Sequence, residues 1–220
     1  MILSRHVDIN NILYTLRNMN DLKRKDLLIV VGGPGSSGSS TISKMLSEHF
    51  NLERVYAGSI FREQVEKLGY PTLDEFYKLA DKETFYKIDK EVDQRLIELA
   101  KKGNILIESK VFAGLATLNN IPCTVKIWLD ANLCVRVRRV MGKQKDIKGI
   151  NRVFVFFKAA SSLIRRRIVD GRRYKYLYGV DYSNEELYND IVLDTSKLNE
   201  KETFDLILKR IRDGGYINNK

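Results

Sequence analysis

Two cysteines and two histidines in 220 residues leave little room for thiol or metal chemistry. Cys123 and Cys134 straddle an apolar run and read as small buried hydrophobes, not as a disulfide framework. His6 and His49 stand alone, so neither a histidine metal site nor a Ser-His triad finds its parts. No stretch reaches about 18 consecutive apolar residues, and the amino-terminal segment lacks the apolar block of a secretory signal. A cytoplasmic protein without membrane contact is expected. Acids are scarce in one place: between Arg136 and Lys175 there are 14 Lys and Arg against Asp146 and Asp170, a local +12 within a total of +10. Basicity is therefore a property of one segment, and a local cluster suits a small polyanion such as a nucleoside triphosphate at least as well as a nucleic-acid backbone.

What is present centres on Gly33-Pro34-Gly35-Ser36-Ser37-Gly38-Ser39-Ser40-Thr41. An apolar run, Leu27 to Val31, leads in, and a helical pattern with Ile42, Met45, Leu46 and Phe50 on one face leads out. Strand, glycine loop and helix in that order make a phosphate site, since glycines turn backbone N–H groups inward at the positive end of a helix. Gly33 and Gly38 have the spacing of the GxxxxGK[ST] loop and Ser40 can offer a hydroxyl to magnesium, but Ser39 occupies the lysine position.

The remaining chain alternates strand and helix, as one α/β domain requires. Residues 1–26 carry helical periodicity and read as an added helix. A strand over Arg54 to Tyr56 turns through Ala57-Gly58-Ser59-Ile60-Phe61-Arg62 into a helix. Another helix opens after Pro71 and Thr72, and a longer one spans Lys82 to Lys102, stopped by Gly103. On that long helix Asp89 and Asp93 share a face, as a solvated edge or as a grip on a base or ribose. Asn104 to Glu108 is an apolar strand ending in an acid, where ligands of open α/β sheets bind. Cys123 to Leu129 is the next strand, followed by an arginine-rich helix with Arg136, Arg138 and Arg139. Met141 to Lys158 reads as a flap with lysines, glycines and packed phenylalanines. A helix from Ser161 carries Arg166, Asp170 and Arg173 on one stripe. Ile191 to Leu193 and Glu200 to Arg212 close the pattern.

The loop, the AGSIFR turn, the NILIE strand, the KIWLDA segment and the RRIVDGRRYKYLYGVD helix together resemble the cytidylate (CMP) kinases, most closely the archaeal branch, over about residues 27–212. The resemblance implies a P-loop kinase fold: a five-stranded parallel sheet with helices on both faces, a nucleoside-monophosphate-binding insert at 59–102, an arginine-rich lid at 136–172, and a core of 27–58, 103–135 and 173–220. It implies transfer of the γ-phosphoryl group of ATP to CMP or dCMP with Mg2+; the sequence leaves the oligomeric state open, with a monomer favoured. By matching position Gly33 to Thr41 would hold ATP. Ser40 and, through water, Glu108 would hold the metal. Arg62, Lys110, Asp170 and Arg173 would bind the acceptor, with Lys110 standing where the family usually has arginine. Arg138, Arg166 and Arg173 would act on the phosphates in flight. Ser39 replaces the lysine of bacterial members. A kinase for UMP or AMP, and a degenerate P-loop protein that binds nucleotide or RNA without catalysis, are the alternative readings.

Overall fold

The computed structural model describes residues 27–142 and 150–217. The expected amino-terminal helix lies outside these residues. Strand β1 (Leu28–Gly32) is buried along its whole length, with Leu28, Ile29, Val30 and Val31 all fully inaccessible. A run of this kind fits only the centre of a sheet covered on both faces. It pairs in parallel with β3 (Ile105–Glu108) on one side and β4 (Val125–Asp130) on the other. Outside these lie β2 (Glu53–Tyr56) and β5 (Ile191–Asp194), giving the order β2-β3-β1-β4-β5.

Alternate side chains feed two cores. Leu28 and Val30 face one core, with Val55, Ile105, Ile107 and Trp128. Ile29 and Val31 face the other, with Leu106, Ile127, Leu129 and Leu193. The second core is closed by α1 (Ser39–His49) through Ile42 and Leu46, and by α8 (Glu200–Asp213) through Ile207 and Ile211. The first is closed by α2 (Ala57–Lys67), α3 (Leu73–Leu79), α4 (Lys82–Lys102) and α5 (Phe112–Leu118). Three helix starts are fixed by local side-chain caps. Thr72 caps α3 by accepting from Glu75 N–H (3.1 Å), Asp81 caps α4 by accepting from Thr84 N–H (2.7 Å), and Asn199 and Glu202 form a capping box on α8. Gly103, at φ 76°, ends α4.

The chain leaves β1 into α1 on one face and leaves β3 into α5 on the other. Adjacent strands whose exits diverge leave a crevice beyond their carboxyl ends. The glycine loop and Glu108 both sit there.

Three expectations differ from the structure. The helix α7 runs Ile150–Tyr178, so it begins eleven residues before Ser161, and the flap is helical from Ile150 on. Nor does the flap pack as expected: Phe154 and Phe157 are 70% and 65% exposed, because the inward face of this helix is taken by Leu163, Asp170 and Arg173. Cysteines also differ from expectation. Cys134 is exposed on α6 (Leu133–Gly142), whose inner face carries Arg136 and Val137, and Cys123 is half-buried. No helix among the described residues is long and apolar enough to cross a membrane.

Candidate active site

The loop between β1 and α1 bends where only certain residues bend freely. Gly33 (φ 156°), Ser36 (φ 67°) and Gly38 (φ 105°) take positive φ, and a Cβ on Gly33 would sit 2.3 Å from the Leu129 carbonyl oxygen. Helix α1 then begins without a side-chain cap on its free N–H groups and without an acid in its first turn. That end of the dipole is left for an anion.

Beside the loop, Ser40 Oγ donates to Glu108 Oε1 at 2.5 Å. The other carboxylate oxygen of Glu108 accepts two hydrogen bonds from Arg54 on β2, Nε at 3.1 Å and a closer one from Nη2. This carboxylate, 4% exposed, is thereby compensated in a place where an isolated charge would be costly. A hydroxyl and a carboxylate in contact at the loop are the hard oxygen donors that suit Mg2+, an ion that takes few protein ligands and keeps phosphates and waters. No cluster of three or more His, Cys, Asp or Glu occurs among the described residues.

A cleft runs over the loop in two lobes. Gly35, Ser36, Ser39, Ser40, Tyr56 and Arg166 line both. One lobe continues between the sheet and α2–α4, past Arg62, Lys110, Asp89, Asp93 and Arg173. The other continues along α6 and α7, past Val140, Lys158 and Leu163.

The charges of the first lobe are held in a network. Asp170, fully buried, accepts from Lys110 Nζ (2.6 Å), Tyr77 Oη (2.8 Å) and Arg173 Nη2 (3.1 Å). Burial alone would raise this carboxyl, but Lys110 and Arg173 hold it below the usual range. Arg173 also pairs through Nε with Asp89 at 2.6 Å and lies over the rings of Phe61, Phe85 and Tyr174. Burial pushes Asp89 up to about 7, opposed by Arg173 and reinforced by Asp93. It pushes Asp93 up to about 6 against a 2.6 Å bond from Tyr178 Oη. Arg62 lies over the Tyr56 ring. Arg166 donates to the exposed Asp74 at 2.6 Å. Two guanidinium groups keep unused donors at the cleft: Arg166 Nε and Arg173 Nη1 are buried without a hydrogen-bond partner among the described residues. Orphaned donors of this kind cost free energy until an acceptor arrives.

Residues 31–147 match the protein family described as an AAA domain. The chain is 34% identical over 185 residues to the cytidylate kinase of Methanocaldococcus jannaschii, covering 84% of this chain and 97% of that one. It is 38% identical over 186 residues to the cytidylate kinase of Pyrococcus horikoshii (84% and 88% covered), and 38% identical over 188 residues to that of Methanopyrus kandleri (82% and 91% covered). The chain belongs to the cytidylate kinase family. Its architecture is also that of solved shikimate kinases from Bacteroides thetaiotaomicron (TM-score 0.52, 12% identity, 87% of this chain and 99% of that chain) and, in complex with shikimate, Acinetobacter baumannii (TM-score 0.53, 15% identity, 86% and 95%). At those identities the likeness concerns the fold alone.

In this member of the cytidylate kinase family most of the residues singled out from sequence come together. Gly33, Pro34, Gly35, Ser36, Ser39, Ser40, Arg62, Glu108, Lys110, Arg166 and Arg173 line the cleft, while Gly38 and Thr41 line its second lobe. Ser37 is buried beneath the loop. Asp170 sits behind the cleft wall, where it holds Lys110 and Arg173. Arg138 is exposed on α6 and lines neither lobe. Its neighbours Arg136 and Arg139, three apart and so on one side of the helix, reach the loop instead. The sequence marks both as part of an arginine-rich helix but gives neither a place at the loop, and it gives no role to Tyr77, Tyr56 or Thr195. Only the three-residue spacing of the two arginines could have pointed to them.

Proposed function

We propose that this chain transfers the γ-phosphoryl group of ATP to CMP or dCMP, giving ADP and CDP or dCDP. The observation that carries this reading is the two-lobed cleft, whose lobes share the phosphate loop and Arg166. A phosphotransferase needs two substrates aligned across one transferred group, and a loop common to two lobes provides that alignment.

The lobe beside α6 and α7 takes ATP, with the loop amides on its phosphates. The lobe beneath α4 takes the monophosphate, with Arg62, Lys110 and Arg173 on the acceptor phosphate. An acceptor oxygen attacks the γ-phosphorus, the bond from that phosphorus to the β,γ-bridging oxygen breaks, and ADP leaves with the bond's electrons. The nucleophile is already ionised, so no general base is required. Arg166, and Arg173 through its unused Nη1, offset the charge that spreads over the transferred group. Ser40, and Glu108 through water, would hold Mg2+, which when bound neutralises phosphate charge. Residues 59–102 act as the acceptor-binding insert and 136–172 as a lid on the core, shutting water out of the reaction.

Base choice has a physical candidate. Cytosine presents an exocyclic amine where uracil presents a carbonyl. Asp89 and Asp93, on the wall of the acceptor lobe, offer carboxylate oxygens that accept from an amine and repel a carbonyl.

The deciding measurement is ADP release with ATP, Mg2+ and each of CMP, dCMP, UMP and AMP. Turnover greatest with CMP or dCMP is expected. ATP binding without turnover on any monophosphate would overturn the assignment.

A further inference from the structure

The phosphate loop has a serine where a lysine would place a charge among the donor phosphates, and two arginines reach the same loop from behind. Arg136 Nε donates to the Gly35 carbonyl at 2.8 Å, and Arg139 Nη1 to the Ser37 carbonyl at 2.8 Å, with a longer 3.4 Å contact to Ser36. Arg136 is 4% exposed, and burial lowers the pKa of its guanidinium, so its place behind the loop carries a desolvation cost. Arg139 is itself fixed by Thr195: Nη2 donates to the Thr195 carbonyl (2.8 Å) and Nη1 to its hydroxyl (3.0 Å). The Thr195 hydroxyl also lies 2.8 Å from the Ser37 carbonyl. Thus the loop is tied to α6 and to the carboxyl end of β5.

In a trans peptide the N–H points away from the C=O, so a carbonyl turned back toward α6 turns the next residue's N–H toward the cleft. The peptides gripped at 2.8 Å are Gly35–Ser36 and Ser37–Gly38. Their N–H groups, of Ser36 and Gly38, have no partner among the described residues, whereas the intervening Ser37 N–H closes a turn on the Pro34 carbonyl (3.1 Å). A charged donor on a carbonyl oxygen polarises its peptide and strengthens the N–H as a donor, by about 10–30% per bond in condensed-phase estimates.

We propose that Arg136 and Arg139 are positioning residues that, through the Gly35 and Ser37 carbonyls, aim and polarise the Ser36 and Gly38 amides toward the donor phosphates and so stand in for the absent loop lysine. The inference rests on the kinase reading of the cleft. It makes the charge needed at the loop arrive through the backbone, from residues that never touch the nucleotide.

Calorimetric titration of the full chain with Mg·ATP, and separately with CMP, tests it. Arg139→Gln weakens ATP about 10- to 100-fold and leaves CMP affinity within about twofold. Adding Ser39→Lys to that variant restores most of the loss, since a lysine in the loop makes the indirect charge redundant. A purely structural arginine would lower thermal stability and both affinities together and would not be rescued from position 39. That pattern, or unchanged ATP affinity, would overturn the proposal. Should Arg139→Gln fail to fold, Thr195→Val decides, removing the hydroxyl brace without changing size: a few-fold loss for ATP alone is expected, and no loss would overturn the idea. Failure of the wild-type chain to bind ATP would overturn the kinase reading itself, a result distinct from intact wild-type binding with unaffected variants.

Discussion

Asp89 and Asp93 stand one turn apart on α4, each about 5% exposed, where carboxylates are expensive to keep charged. Burial raises both, to about 7 and about 6. For an acid raised in this way the folded protein holds a proton that the unfolded chain has already released, so stability falls as pH rises from the unfolded value near 4 to the folded one. Asp93→Asn removes that dependence while keeping an oxygen to accept from Tyr178. Urea unfolding at pH 4.5 and pH 7.5 should show the variant gaining about 2 kcal/mol on the wild type between the two. Equal gaps at both pH values would mean that Asp93 titrates normally. Asp89→Asn tests the neighbouring function, because an amide can donate to the uracil carbonyl where a carboxylate cannot. The ratio of kcat/KM for CMP over UMP should fall at least about tenfold. An unchanged ratio would place base reading elsewhere.

At the scale of the element, α7 carries two arginines seven residues apart that do different work. Arg166 lies over the Tyr77 ring and ties the helix by an ion pair to Asp74, an exposed partner whose carboxyl it holds below the usual range. A pair of that kind contributes about 0–1 kcal/mol. Arg166→Ala should therefore cut kcat about 100-fold or more with little change in thermal midpoint. Arg173 is 6% exposed and compensates two buried carboxylates, Asp170 and Asp89. Arg173→Ala should lose about 3–5 kcal/mol in urea unfolding as well as activity. Equal loss of fold and activity at Arg166 would make it structural too. The sequence showed both arginines through their helical stripe, and it showed the loop, the five strands and the span of α4, because glycine spacing, apolar runs and capping residues are local signals. It did not show the start of α7 at Ile150, since Phe154 and Phe157 interrupt the polar pattern without being buried. Nor did it show Arg136 and Arg139 at the loop, a contact between residues about 100 apart that depends on how α6 docks.

At the scale of the whole molecule, the divergence of α1 and α5 from neighbouring strands places one phosphate loop at the junction of two lobes. Two binding sites that abut at a shared loop behave as one when their ligands are joined, because the second contact is made at high effective concentration. A dinucleotide linking adenosine to cytidine through a polyphosphate chain should bind about 100-fold or more tightly than ATP. It should also raise the unfolding free energy by about 2.7 kcal/mol when present at 100 times its Kd. It should inhibit competitively against ATP and against CMP. In Arg166→Ala the advantage of the joined ligand over ATP should shrink, since that side chain lines both lobes. Inhibition competitive against one substrate alone would mean that the lobes are separate sites, and in-line transfer across the loop would lose its geometric basis.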